Sequence, residues 1–175
     1  MRPAKSTNYL EIFKKLIMTQ LLIHLARAKF PFVVVGGYAA YAHGATIVTQ
    51  DIDVCCEFTE ESLQRLWNAI GDLHPVHRMR PDRLPLEIRP GMSASLQNLY
   101  LDTDAGQLDL LGNVMGIGGY QEALQQSMEV CVDDCRIPFL SLPAIIRAKE
   151  AMNRDRDREA VRQLRFIQEH EGETK

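Results

Sequence analysis

The chain is 175 residues long, 46% hydrophobic and 25% charged, with a formal net charge of −3 at neutral pH. These values fit a globular domain with an ordinary core and exclude a disordered or fibrous chain; the slight acidity also excludes a whole-molecule pull toward nucleic acid. The longest apolar stretch, FPFVVVGGYAAYA, is too short and glycine-broken to span a bilayer, and MRPAKSTNYLEIFKK lacks the features of a secretory signal, so a cytoplasmic protein is expected.

Leu10, Phe13, Ile17, Leu21 and Leu25 recur at helical spacing behind Ser6 or Thr7, predicting a capped first helix that ends before Pro31. His24, near this stripe, reads as a packed or edge residue rather than a ligand. FVVVGG is a β-branched run and predicts a buried strand. GYAAYAHG follows as a short helix closed by Gly44. QDIDVCCEF predicts a second strand, with Asp51 and Asp53 on one face and Ile52 and Val54 on the other. TEESLQRLWNAI predicts an amphipathic helix capped by Thr59.

The proline-rich HPVHRMRPDRLPLEIRPGMS shows no regular period. LQNLYLDTDAGQLDLLG predicts a hairpin turning at DTDAG, whose second strand points Leu108 and Leu110 inward and Gln107, Asp109 and Leu111 to the other face. SMEVCVDDCRIPFLS predicts another hairpin, turning at Asp133-Asp134. Cys131 and Cys135 flank that turn; zinc would want two more ligands in similar order, so reduced thiols are the better reading, as for Cys55 and Cys56. From Ser141 the chain turns helical, SLPAIIRAKEAMN and then DRDREAVRQLRFIQEHEG, with a polar break between. The order predicts an α/β (α+β) fold: a mixed sheet with flanking helices and a helical C-terminal tail. No repeat or linker divides it, so one domain is expected, with a core at about 30–140 and C-terminal helices at about 141–170.

Three features carry chemistry. Gly36 and Gly37 end a strand and open a helix, where absent Cβ atoms let a phosphate approach backbone N–H groups; a plain tight turn is the alternative. Asp51 and Asp53 lie about 7 Å apart along one strand face, a spacing that suits divalent ions on a nucleoside triphosphate. An exposed polar strand edge is the alternative there, but the apolar residues 54–56 argue for a central strand. Asp109 stands between leucines in GQLDLLG, a poor place for an idle carboxylate. If its strand lies beside that of Asp51 and Asp53, three carboxylates converge.

Val35-Gly36-Gly37, thirteen residues, then Asp51-Ile52-Asp53-Val54 resembles the signature of the nucleotidyltransferase superfamily that includes DNA polymerase beta. GQLDLLG resembles that superfamily's third-carboxylate strand. Lys149, Arg154 and Asp157, after LSLPAII, resemble the C-terminal pattern of small bacterial members, the minimal and abortive-infection-type nucleotidyltransferases. The matches run from residue 33 to about 165. The resemblance implies that Gly36 and Gly37 hold the β- and γ-phosphates, with Thr49 and Lys149 as further nucleotide-binding residues. It implies that Asp51, Asp53 and Asp109 are catalytic and bind one or two Mg²⁺ ions, for which Mn²⁺ can substitute. Attack on the α-phosphorus of a triphosphate such as ATP would then place a nucleoside monophosphate on a hydroxyl of a protein, RNA or small molecule and release pyrophosphate.

One position departs from the pattern: family members often carry Arg two residues before the Thr, and here it is Ile47, which cannot supply bidentate phosphate binding. The three carboxylates favour an active transferase. Ile47 and the short length favour the alternative, an inactive member that senses a nucleotide or serves as a toxin–antitoxin partner. Between Ser141 and Phe166 seven Arg or Lys stand against four acids, but the signs alternate, as on a solvated helix laced with ion pairs rather than an RNA platform.

Overall fold

The computed structural model describes residues 9–46 and 49–170. Helix α1 (Tyr9–Arg27) buries Leu21, Leu22 and Leu25 completely; the expected caps Ser6 and Thr7 lie outside the described residues. Strand β1 (Phe32–Val35) is buried along its whole length and runs directly into α2 (Gly36–Ala42), whose small residues Ala39 and Ala40 pack without exposure. Strand β2 (Asp51–Cys56) follows, then α3 (Glu60–Ile70), which begins with a reciprocal cap: Thr59 Oγ1 accepts the Ser62 N–H, and Ser62 Oγ accepts the Thr59 N–H. The two-residue strand β3 (Val76–His77) precedes the hairpin of β4 (Asn98–Thr103) and β5 (Gly106–Leu111).

Helix α4 (Tyr120–Gln125) is not among the predicted elements; six residues behind Gly118 and Gly119 are too few to show a helical period. The second hairpin, β6 (Ser127–Val132) and β7 (Cys135–Leu140), turns at Asp133-Asp134 as expected, with Asp133 at φ 52°. Helix α5 (Leu142–Met152), with Pro143 in its first turn, and α6 (Asp155–His170) are the predicted C-terminal pair, split at Asn153, which takes a left-handed φ of 48°.

Among the described residues seven strands form one mixed sheet in the order β3-β4-β5-β2-β1-β7-β6. The β2–β5 and β1–β7 pairs are parallel and the others antiparallel. Ile52 and Val54, Leu99 and Leu101, and Leu108 and Leu110 lie on one face and join α1 and α3 in a single core with Leu63, Leu66 and Ile70. Strand alternation therefore turns Asp51, Asp53, Tyr100, Asp102, Gln107 and Asp109 to the opposite face. On that side α2 packs against both β2 and α5. No helix among the described residues is long and apolar enough to cross a membrane.

Candidate active site

Strand β2 is central, as its apolar end predicted. Its parallel register with β5 sets Asp53 directly beside Asp109 and Asp51 beside Gln107; on its other side Asp53 faces Val35, the residue before the double glycine. Period-two alternation puts the first two carboxylates on one face, and the register adds the third. One oxygen from each of Asp51, Asp53 and Asp109 lies within 4.8 Å of the others. The sequence identified all three residues but not the pairing that unites them.

Three like charges at this distance oppose one another, and each makes the ionisation of its neighbours harder. Burial, reinforced by the Asp51 and Asp109 charges, pushes the Asp53 carboxyl up to about 7 from an ordinary value of 3.8. Burial also raises Asp109, against the pull of the Arg78 guanidinium. Local donors offset part of the repulsion: the Gly37 N–H bonds to Asp53, and Thr49 Oγ1 donates to Asp51 Oδ1 at 2.9 Å. An all-oxygen, partly buried set that keeps a net negative charge fits a hard divalent cation such as Mg²⁺.

Both glycines are required by what surrounds them. Gly36 holds φ +64°, and a Cβ there would overlap the Asp53 carboxylate. A Cβ on Gly37 would come within 2.9 Å of Thr49 Oγ1. The chain thus turns from β1 into α2 against the carboxylates, leaving the Gly37 N–H free to meet Asp53. Thr49, expected as a nucleotide-binding residue, supports Asp51 and lies under Gly37. Ile47, the departure from the family pattern, lies outside the described residues.

Sequence reasoning missed Arg78. It stands just past β3, where its N–H bonds to the Tyr100 carbonyl at 2.9 Å. Its guanidinium pairs with Asp109, donates to Gln107 Oε1 at 2.9 Å, and lies over the Tyr100 ring with its central carbon 5.9 Å from the ring centre. Arg78 Nε and Asp102 Oδ1 are buried without hydrogen-bond partners among the described residues. The proline-rich segment around Arg78 has no period to place it, and no motif marks it.

Lys149 is not the solvated helix residue that its sequence context allowed. It sits in the last turn of α5, buried, and its Nζ donates to Asp157 Oδ1 at 3.0 Å. Its positive charge reaches Asp53. Elsewhere on α6 the charges pair locally, Arg158 with Asp155 and Arg162 with Glu159, as the alternating signs suggested.

No protein-family model matches the chain, and no curated protein sequence matches it either. Among solved structures the antibiotic-resistance factor ANT(2'')-Ia superposes with a TM-score of 0.55 at 18% identity, over 88% of this chain and 83% of that one. The lincosamide antibiotic adenylyltransferase LnuA, in its lincomycin-bound form, superposes with a TM-score of 0.53 at 17% identity, over 93% of this chain and 99% of that one.

Proposed function

We propose that this chain, which has the nucleotidyltransferase superfamily fold, transfers a nucleoside monophosphate from a nucleoside triphosphate to a hydroxyl acceptor and releases pyrophosphate. The observation that carries the reading is the convergence of Asp51, Asp53 and Asp109 on adjacent central strands beside a double glycine whose Cβ atoms the site excludes.

In this reading Asp51, Asp53 and Asp109 hold Mg²⁺, which when bound screens the triphosphate and offsets the charge that develops in transfer. Gly36 and Gly37 let the β1–α2 turn close on Asp53 and Thr49, which sets its backbone beside the carboxylates, where the β- and γ-phosphates bind. Thr49 keeps Asp51 oriented through its 2.9 Å hydrogen bond. Asp109, at the junction of the cluster with β4, orients the attacking hydroxyl and accepts its proton. The acceptor oxygen bonds to the α-phosphorus as the α-phosphorus–oxygen bond to pyrophosphate breaks, and the proton held on the Asp109 carboxyl passes afterwards to solvent. Lys149 adds a fixed positive charge on the α5 side.

The acceptor is a hydroxyl of a small molecule, an RNA or a protein. Small molecules are tested first, because one structural neighbour is an antibiotic adenylyltransferase seen with its antibiotic. A second reading has one observation in its favour: Arg78 already occupies Asp109, as in a site that binds a nucleotide or a toxin–antitoxin partner without transferring anything. The two readings part in one experiment. Purified protein, Mg²⁺ and each triphosphate labelled at the α-phosphate are incubated with hydroxylated antibiotics and with a cell extract, beside Asp53→Asn. Label entering an acceptor with wild type alone supports transfer. Triphosphate binding without label transfer supports the binding reading, and neither result leaves the site without a nucleotide role.

A further inference from the structure

Lys149 and Asp157 are both charged and both nearly sealed from water, each side chain 8% exposed, and they come from different helices. The left-handed turn at Asn153 folds α6 back on α5 and brings Asp157, in the first turn of α6, against the ammonium. Such a pair is a poor source of stability. Dehydrating two ions costs about as much as their attraction returns, and apolar residues of similar size commonly do as well or better. This pair is also incomplete, because Asp157 Oδ2 is buried with no hydrogen-bond partner among the described residues. A pair retained for packing alone has no reason to leave a carboxylate oxygen unmet.

Its position supplies a reason. Helix α5 packs on α2, the helix that opens with Gly36 and Gly37 and sets Gly36 against the Asp53 carboxylate. A lysine on its four-carbon stem has wide rotamer freedom, and an isolated buried ammonium would lose its proton or swing out to water. Asp157 holds the side chain in place by accepting a hydrogen bond from one of the three ammonium hydrogens at 3.0 Å, which leaves the others available. We propose that Asp157 is a positioning residue: it holds the Lys149 ammonium dehydrated and fixed in direction beside the carboxylate cluster, so that an incoming triphosphate meets a preset cation. The inference rests on the triphosphate reading of the site given above.

The test measures binding by calorimetry on the full chain with Mg²⁺ and two probes, a non-hydrolysable ATP analogue and inorganic tripolyphosphate. Asp157→Asn and Lys149→Met each weaken binding about ten- to a hundredfold, the loss of one charge-assisted phosphate contact. The double variant Lys149→Met/Asp157→Leu binds no more weakly than Lys149→Met alone and melts at or above the wild-type temperature. Asp157→Glu keeps the ion pair but displaces the ammonium by one methylene. It weakens binding several-fold at an unchanged melting temperature, a separation that a merely structural pair does not produce. Wild-type affinity in folded Asp157→Asn or Asp157→Glu overturns the positioning role, as does a double variant whose loss is the product of the single losses. A wild-type protein that binds neither probe overturns the triphosphate reading itself, and this role with it.

Discussion

Asp53 carries the sharpest prediction at the scale of single residues. Its carboxyl is raised from 3.8 to about 7 in the folded chain, so folding takes up a proton between those values. The resulting penalty is absent below pH 4, grows as pH rises from 4 to 7, and is complete above 7. The melting temperature of metal-free protein therefore falls across that window. Asp53→Asn flattens the fall and raises the pH 8 melting temperature by several degrees while abolishing metal-dependent triphosphate binding. A variant that melts lower at pH 8 would make Asp53 a structural residue. Gly36→Ala acts in the opposite sense, because alanine at φ +64° is strained and its methyl meets the Asp53 carboxylate. A loss of about 2 kcal/mol, roughly 5 °C, is expected in a thermal melt.

Elements set how these residues meet. Helix α3 belongs to the scaffold, and its Thr59 cap is a control: Thr59→Ala lowers stability by about 1 kcal/mol and leaves triphosphate affinity unchanged. If affinity fell with stability, the site would depend on the scaffold more broadly than the core suggests. The short strand β3 matters more to the site than its two residues imply, because it delivers Arg78 to Asp109. Removing that cation in Arg78→Gln leaves Asp109 with only like-charged neighbours in the cluster. Metal-free protein should then melt lower than wild type, and saturating Mg²⁺ should recover a larger share of the difference. A melting temperature unmoved by the substitution would mean that Arg78 is a bystander. This segment is illegible in the sequence because prolines at 75, 81, 85 and 90 erase the periods by which strands and helices are read. Helix α4 is too short to show one.

For the whole molecule, the sheet gathers three repelling carboxylates at its centre, on the face opposite the leucine layer that packs with α1 and α3. The fold therefore carries an electrostatic burden that a bound divalent cation would remove. Mg²⁺ at about a hundred times its dissociation constant should add about 2.7 kcal/mol, a rise of roughly 5–10 °C in melting temperature. Monovalent salt at equal ionic strength should not reproduce it; if it did, the effect would be screening rather than binding. Much of this design is legible in the order of residues alone. Val33 to Val35 declare a buried strand, the spacing of Asp51 and Asp53 declares a shared face, and an aspartate between leucines in GQLDLLG declares an occupied position. Local steric and solvation rules act within a few residues, so one dimension suffices for them. The sequence by itself thus determined the helices and strands with clear periods, the faces of those strands, and the identity of the three carboxylates. Only the tertiary structure decided that β5 lies parallel to β2 in the register that joins Asp109 to Asp53, that Arg78 reaches Asp109, and that Lys149 is buried against Asp157. Those pairings depend on strand order and on how two helices fold back, choices made by the whole core rather than by any local pattern.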